Sequence, residues 1–209
     1  MKLGKLCFIG AEAQIYKIRN TIIKVRKPKY YRHKALDERL RIFRTKREAA
    51  LLSKLAASGF PAPDVLSTNN VDTIVMRFLP GKRLSDCMLL LSPRTLLFVA
   101  RNMGMLAAKL HLRSIIHADL TTSNFLLDGK QLYLIDFGLS YPSSKSEDRA
   151  VDIHLLKQSL FSSHPSVANK AFRAFLSSYI HHFTHASEVL LRLTKVELRG
   201  RHKAKKQLP

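Results

Sequence analysis

HADLTTSNFLLDGKQLYLIDFG, residues His117 to Gly138, carries more candidate chemistry than any other stretch of the chain. Asp119, Asn124 and Asp136 stand in it, with His117 two residues ahead of the first. Between Asn124 and Asp136 the apolar runs Phe125–Leu127 and Leu132–Ile135 flank Asp128-Gly129, a hairpin turn signal. The stretch therefore reads as loop, strand, turn, strand and a second loop opening at Asp136. A lone His-x-Asp is usually a satisfied core pair or a turn, and His117 by itself reads as readily as a packing residue of the loop. Asp136 alone is equally a strand-end turn residue. Taken with Asn124 the pattern changes meaning, because an acid-lined pocket in so basic a chain requires a cation to explain it.

That basic character is measurable. The 209 residues include 36 Lys plus Arg against 15 Asp plus Glu, a formal charge of +21, with 46% apolar residues, two cysteines and no tryptophan. This length and apolar content fit one compact unit with two lobes and exclude whole-chain disorder or a collagen-like architecture. Apolar runs such as Cys87–Leu91 fall far short of the roughly 20 residues that cross a bilayer, so no membrane partner is expected. The start, MKLGKLCFIG, lacks the pattern of a signal peptide, which places the chain in the cytosol or nucleus. Cys7 and Cys87 form no metal or disulfide pattern and read as small core residues. The charge predicts a polyanionic partner, nucleic acid first. It is concentrated at Lys24–Arg47 and Arg192–Lys206.

Outward from the central stretch, residues 3–26 read as short strands, with Gly10 and Asn20 as punctuation. Helical spacing runs from Ala35 to about Ala57, with Leu36, Leu40, Phe43, Arg47, Ala50 and Leu51 along one side and Gly59 and Pro61 as the stop. A strand follows at Val71–Phe78, and LPGKRL supplies a hinge at Pro80-Gly81. Beyond it, Leu96, Ala100, Met103, Ala107 and Leu110 form the buried stripe of a core helix. Two further helices fit Arg149–Phe161 and Ser166–His182. The expectation is an α+β, bilobal fold: a strand-rich N-lobe (1–79), a reduced helical C-lobe (80–198) and a mobile basic tail (199–209).

The central stretch resembles a protein-kinase catalytic core, since Asp119 and Asn124 keep the catalytic-loop spacing and a hairpin joins them to Asp-Phe-Gly, and the resemblance implies that the two lobes form a small, minimal kinase-like fold. On that template Asn124 and Asp136 hold Mg2+ over the phosphates of ATP, and Asp119 orients the attacking hydroxyl or water. The template also asks for a strand lysine and a helix glutamate. Lys24 shares a strand face with Ile22 and points into the lobe, while Glu48, with Leu51, Leu52 and Leu55 following at helical spacing, lies within its reach. The bland alternatives are a surface lysine and a glutamate paired with Arg44. Arg26 and Lys46 read as exposed. The phosphate-covering loop, GAEAQIY, retains only Gly10, which could set a backbone amide near a phosphate, while Glu12 replaces a glycine. No P-loop is present.

At finer grain, GAEAQIYKI, the run from Lys24 to Leu55, HADLTTSNFLL, IDFGLSYPSSKSEDRAVDIHLLKQS, the His164-Pro165 pair and RLTKVELRGRHKAKK resemble the small atypical kinase of the KEOPS complex, the p53-related protein kinase family. The resemblance implies ATP hydrolysis or serine/threonine phosphotransfer in support of threonylcarbamoyladenosine formation on tRNA. It also implies docking to a threonylcarbamoyl-transferase through the second lobe and to a small accessory subunit through the first. By position it assigns Gly10, Lys24 and Glu48 to ATP, Asp119 to catalysis, Asn124 and Asp136 to Mg2+, and His117 and Asp152 to support of the catalytic loop. Ala118 departs from the family's usual glycine; if that backbone needs a positive φ, alanine costs about 1 kcal/mol. Candidate tRNA contacts are Arg199, Arg201, Lys203, Lys205 and Lys206, with Lys27, Lys29 and Arg32 as a second patch. Beside that patch Tyr30 and Tyr31 are candidates to stack on bases, with packing against the first lobe the favoured use.

Ala118 also stands where ordinary kinases carry an arginine for a phosphorylated activation loop, and Gly138 to Asp152 is too short for a protein-substrate platform. Hydrolysis coupled to a partner is therefore favoured. Two alternatives remain: a RIO-type kinase of ribosome assembly, which the Phe-Gly after Asp136 and the threonine at 121 argue against, and a silent scaffold, which would not need the intact constellation.

Overall fold

The computed structural model describes residues 4–10 and 12–205, with side chains up to residue 199. It divides into two compact units, Met1–Gly81 with Tyr133–Leu139, and Lys82–Leu132 with Ser140–Pro209. The segment 133–139, grouped with the C-lobe on sequence, thus belongs with the first unit.

In the first unit, β1 (Lys5–Ile9), β2 (Gln14–Ile18) and β3 (Thr21–Val25) precede the long helix α1 (Lys34–Ala57), and β4 (Val65–Thr68) and β5 (Thr73–Arg77) follow it. The five strands form an antiparallel sheet in the order β1-β2-β3-β5-β4. β-Branched residues fill every position of β3 but Lys24, and Ile23 lies opposite Tyr16 on one side and Val75 on the other. Ile23, Leu52, Leu55, Phe60, Ile74 and Phe137 make the core. Phe137 meets Phe60 edge-on at 6.5 Å, and Leu134 N–H donates to Pro61 O at 2.9 Å, which fixes the Asp-Phe-Gly segment in this unit. Gly59, at φ +65°, stops α1 as expected.

Several expectations fail here. Leu36 and Phe43 are exposed, and the buried side of α1 is instead Asp37, Thr45, Glu48, Ala49, Leu52 and Leu55. Arg26 is buried, Cys7 is exposed, and Tyr30 and Tyr31 stand in solvent rather than against the lobe. β4 lay outside the sequence reading.

In the second unit, β6 (Lys82–Arg83) starts at the expected hinge, where Gly81 has φ +131°. A short helix, α2 (Leu84–Cys87), leads to α3 (Pro93–Leu112). Ser92 caps α3 by accepting the Thr95 N–H at 3.2 Å, with Pro93 preset for the first turn. The whole predicted stripe from Leu96 to Leu110 is buried. β7 (Ile115–Ile116) precedes the catalytic-type loop, and β8 (Phe125–Asp128) and β9 (Gln131–Leu134) flank the turn at Gly129, φ +56°. β10 (Tyr141–Pro142) pairs with β7, and α4 (Ser146–Ser163), α5 (Pro165–His182) and α6 (Ala186–Lys205) complete the unit. α3 packs on α5 through Gly104, where an added Cβ would lie 2.3 Å from Phe175 O. The basic stretch after Arg199, expected as a tail, continues helix α6 as far as Lys205; Lys206 lies outside the described residues. No described helix is long and apolar enough to cross a membrane.

Candidate active site

Alternation on β3 puts Lys24 and, by continuation, Arg26 on the same inward side, opposite Glu48 of α1. Lys24 Nζ donates to Glu48 Oε1 at 2.8 Å and to Asp136 Oδ1 at 2.6 Å. Arg26 binds the other oxygen of Glu48 through Nη2 and donates to Thr45 Oγ1 at 3.2 Å. Two cations thus face two carboxylates, three of the four side chains buried and Asp136 half exposed. Such a cluster survives burial only because each charge is matched; removing one partner of a buried pair costs about 3–5 kcal/mol. Burial pulls the Lys24 pKa down, but Glu48 and Asp136 more than offset it, and the ammonium is held above the ordinary lysine value.

The backbone is shaped to this cluster. Asp136 has φ +64°, and Gly138 N–H donates to its Oδ1 at 3.3 Å. A Cβ on Gly138 would lie 3.0 Å from Arg26 Nη2 and 3.3 Å from Asp136 Oδ1, so the glycine of Asp-Phe-Gly leaves room for the guanidinium. At the β1–β2 turn, the Gly10 N–H that sequence reading offered to a phosphate donates to Ala13 O at 2.9 Å. Glu12 binds Arg44 and, at 3.4 Å, Arg32, so Arg44 serves this loop and not Glu48.

In the second unit, Asn124 Nδ2 donates to Asp119 O at 2.8 Å and to Asp119 Oδ2 at 2.9 Å. The Asn124 carbonyl oxygen is left as the ligating end. Asp152 is fully buried and accepts the N–H groups of His117 and Ala118, each at 2.7 Å. Ala118 does adopt a positive φ, +64°, so the condition attached to its missing glycine is met. Asp152 is held in turn by His111 Nε2 at 3.2 Å, and His111 Nδ1 meets Tyr179 Oη at 2.8 Å. The proton inventory follows: Tyr179 donates to Nδ1 and the Nε2–H donates to the carboxylate. Burial lowers the His111 pKa despite Asp152 and raises that of Tyr179, so both stay neutral. Thr122 is anchored by Ser159, its N–H donating to Oγ at 3.1 Å, and by His164 Nε2 at 3.2 Å. Ser140 donates to His117 O at 3.1 Å.

Arg26, Thr45, His111, Tyr179, Ser159 and the loop contact of His164 were not assigned from sequence. Arg26 had a usable signal, being two residues beyond Lys24. Arg199 is bound to Glu147. The side chains of Arg201, Lys203 and Lys205, and all of Lys206, lie outside the description.

The donor set fits Mg2+ with ATP. Among the described residues no three or more His, Cys, Asp or Glu gather to hold a metal alone. Mg2+ in such sites needs only one or two protein oxygens beside the substrate phosphates, and Asp136 in the first unit and Asn124 in the second each offer a hard oxygen of that type.

Similarity to known proteins agrees with this chemistry. A family model described as "RIO domain" matches residues 11–178, which makes the chain kinase-like by class. The Rio2 kinase–ADP/Mg2+–phosphoaspartate complex from Chaetomium thermophilum superposes with a TM-score of 0.66 over 98% of this chain and 72% of that one; at 15% identity it speaks for the fold alone. The "EKC/KEOPS complex subunit BUD32" of Encephalitozoon cuniculi is 42% identical over 93% of this chain and 94% of its own length. The chain belongs to the BUD32 family of kinase-like RIO-domain proteins. A Methanosarcina mazei protein named "Probable bifunctional tRNA threonylcarbamoyladenosine biosynthesis protein" is 36% identical over 97% of this chain, which spans 36% of its length. The Phe-Gly after Asp136 and the threonine at 121, read as arguing against a RIO-type kinase, therefore do not set the chain outside the RIO domain.

Proposed function

We propose that the chain is the ATP-using subunit of a KEOPS-type assembly, hydrolysing Mg-ATP slowly in support of threonylcarbamoyladenosine formation on tRNA, with serine/threonine phosphotransfer as a secondary activity. The observation that carries the reading is Lys24, a buried ammonium shared between Glu48 and Asp136. Two carboxylates already balance Lys24 and Arg26, so a phosphate arriving at Lys24 takes the place of Asp136 and frees that carboxylate for a cation, while Arg26 keeps Glu48 paired. Asp136 and Asn124 would hold Mg2+, which would supply charge neutralisation on the phosphates. Asp119, its carboxylate oriented by Asn124, accepts the proton of the attacking water or hydroxyl.

Hydrolysis is favoured because the segment Ser140–Lys145 is short and tied down, Ser140 to the catalytic loop and Ser143 to Asp148. The family name supports other subunits as partners. We take these to be a threonylcarbamoyl-transferase and a small accessory subunit at the first unit, acting with tRNA in the cytosol or nucleus. The fused Methanosarcina mazei relative supports the first of these, since a homologous segment there shares a chain with the rest of a protein named for that modification.

The test reconstitutes the complex with tRNA and follows ATP binding, ATP turnover and modification. Asp119→Ala should retain ATP binding and lose turnover by about 100-fold or more. Asp136→Ala should weaken binding and abolish turnover. If modification survives Asp136→Ala undiminished, the chain is a scaffold.

A further inference from the structure

We propose that the turn Lys29–Arg32, with the basic residues beside it, is a stacking platform for unpaired RNA bases. The turn is built, since Arg32 N–H donates to Lys29 O at 3.0 Å and places Tyr30 and Tyr31 at its two corners. It is also anchored. Lys29 N–H donates to Asp37 Oδ1 at 3.2 Å, and Asp37, buried in the first turn of α1, is gripped by Arg41 at 2.8 Å and Arg32 at 3.8 Å. On this fixed base Tyr30 is fully exposed and Tyr31 is 77% exposed. The Arg32 guanidinium lies 5.3 Å from the Tyr31 ring centre, leaving a face of the ring to water. Lys27 and Lys34 flank the turn, both exposed.

Two adjacent aromatic rings held in water cost hydrophobic free energy, and neither contributes to the core of this unit. Rings interleaved with cations on a pinned turn match a single strand, whose unpaired bases stack while its phosphates meet lysine and arginine. A carboxylate-rich protein surface would pair with the cations but offer no flat face to stack on both rings, and a duplex would offer phosphates with no free base face. The proposal rests on the reading above only in taking RNA as the polyanion, and it is independent of the nucleotide site.

The experiment uses the full chain and a labelled ten-nucleotide oligouridine, with a duplex of equal length and vesicles containing phosphatidylserine as comparison arms, across a KCl series. ATP binding is measured on the same samples. Tyr30→Ala with Tyr31→Ala should weaken single-strand affinity about tenfold or more at fixed salt and leave the log–log salt slope unchanged. The paired Phe substitutions should restore affinity, because stacking needs the ring and not the hydroxyl. Lys27→Ala should flatten the slope by about 0.7. Duplex affinity should not respond to the tyrosines. The proposal is overturned if the double Ala variant binds the single strand like wild type, if strand and duplex fall together, or if ring-dependent binding is seen only on vesicles. A wild type that binds RNA but not ATP would sink the nucleotide reading alone; the reverse would sink this one.

Discussion

Ala118 shows how far one residue can be held from its preferred geometry. At φ +64° an alanine pays about 1–2 kcal/mol relative to its usual region, yet Asp152 accepts its N–H and that of His117 and fixes the loop regardless. Ala118→Gly relieves the strain and adds unfolded-state entropy, so we expect a net stabilisation of about 0.5 kcal/mol. Asp152→Ala should cost several kcal/mol, since the buried His117 N–H and His111 Nε2–H and the part-buried Ala118 N–H lose their acceptor. Urea melts of the two variants should move in opposite directions; a destabilised Ala118→Gly would mean the loop tolerates φ +64° at no cost.

Among the elements, α1 and α3 respond differently to the same periodicity argument. The stripe of α3 was legible because its buried side is aliphatic and small. That of α1 was misassigned: its inward face carries Asp37, Thr45 and Glu48, which hydropathy scores as outward, while Leu36 and Phe43 face solvent. The missing information was charge pairing. The same alternation that turns Lys24 inward also turns Arg26 inward, but a buried guanidinium makes sense only once Glu48 and Thr45 stand opposite it. Likewise Lys24, Glu48, Asp119, Asn124 and Asp136 could be read from motif spacing, whereas His111 and Tyr179 sit on apolar helix faces where nothing in the chain marks them as supports of a loop. Gly104 is the comparable case in packing. Gly104→Ala sets a Cβ 2.3 Å from the Phe175 carbonyl and must separate α3 from α5, with an expected loss of about 2–3 kcal/mol in urea unfolding. An unchanged midpoint would show that the helices part freely.

For the molecule as a whole, pH should act through buried imidazoles. His111 and His164 both have pKa values lowered by burial, so the native state binds fewer protons than the unfolded chain once pH drops below the ordinary histidine value of 6.5. Their contribution is complete above that pH and is lost as pH falls towards the lowered values. The urea midpoint should therefore decline between pH 7 and pH 5.5, and His111→Gln, which cannot take the extra charge, should flatten the decline. An identical pH profile in the variant would place the sensitivity elsewhere. Protonation also adds to a formal charge already at +21, so the effect should be larger at low salt.

Strand β1 closes one side of the five-stranded sheet, and along it Leu6, Phe8 and Ile9 are exposed. Among the described residues no strand pairs with its outer side, and an apolar edge of that kind is a template for a second copy. Self-association, opposed by the repulsion of a +21 charge, should therefore grow with the concentration of the chain and with salt.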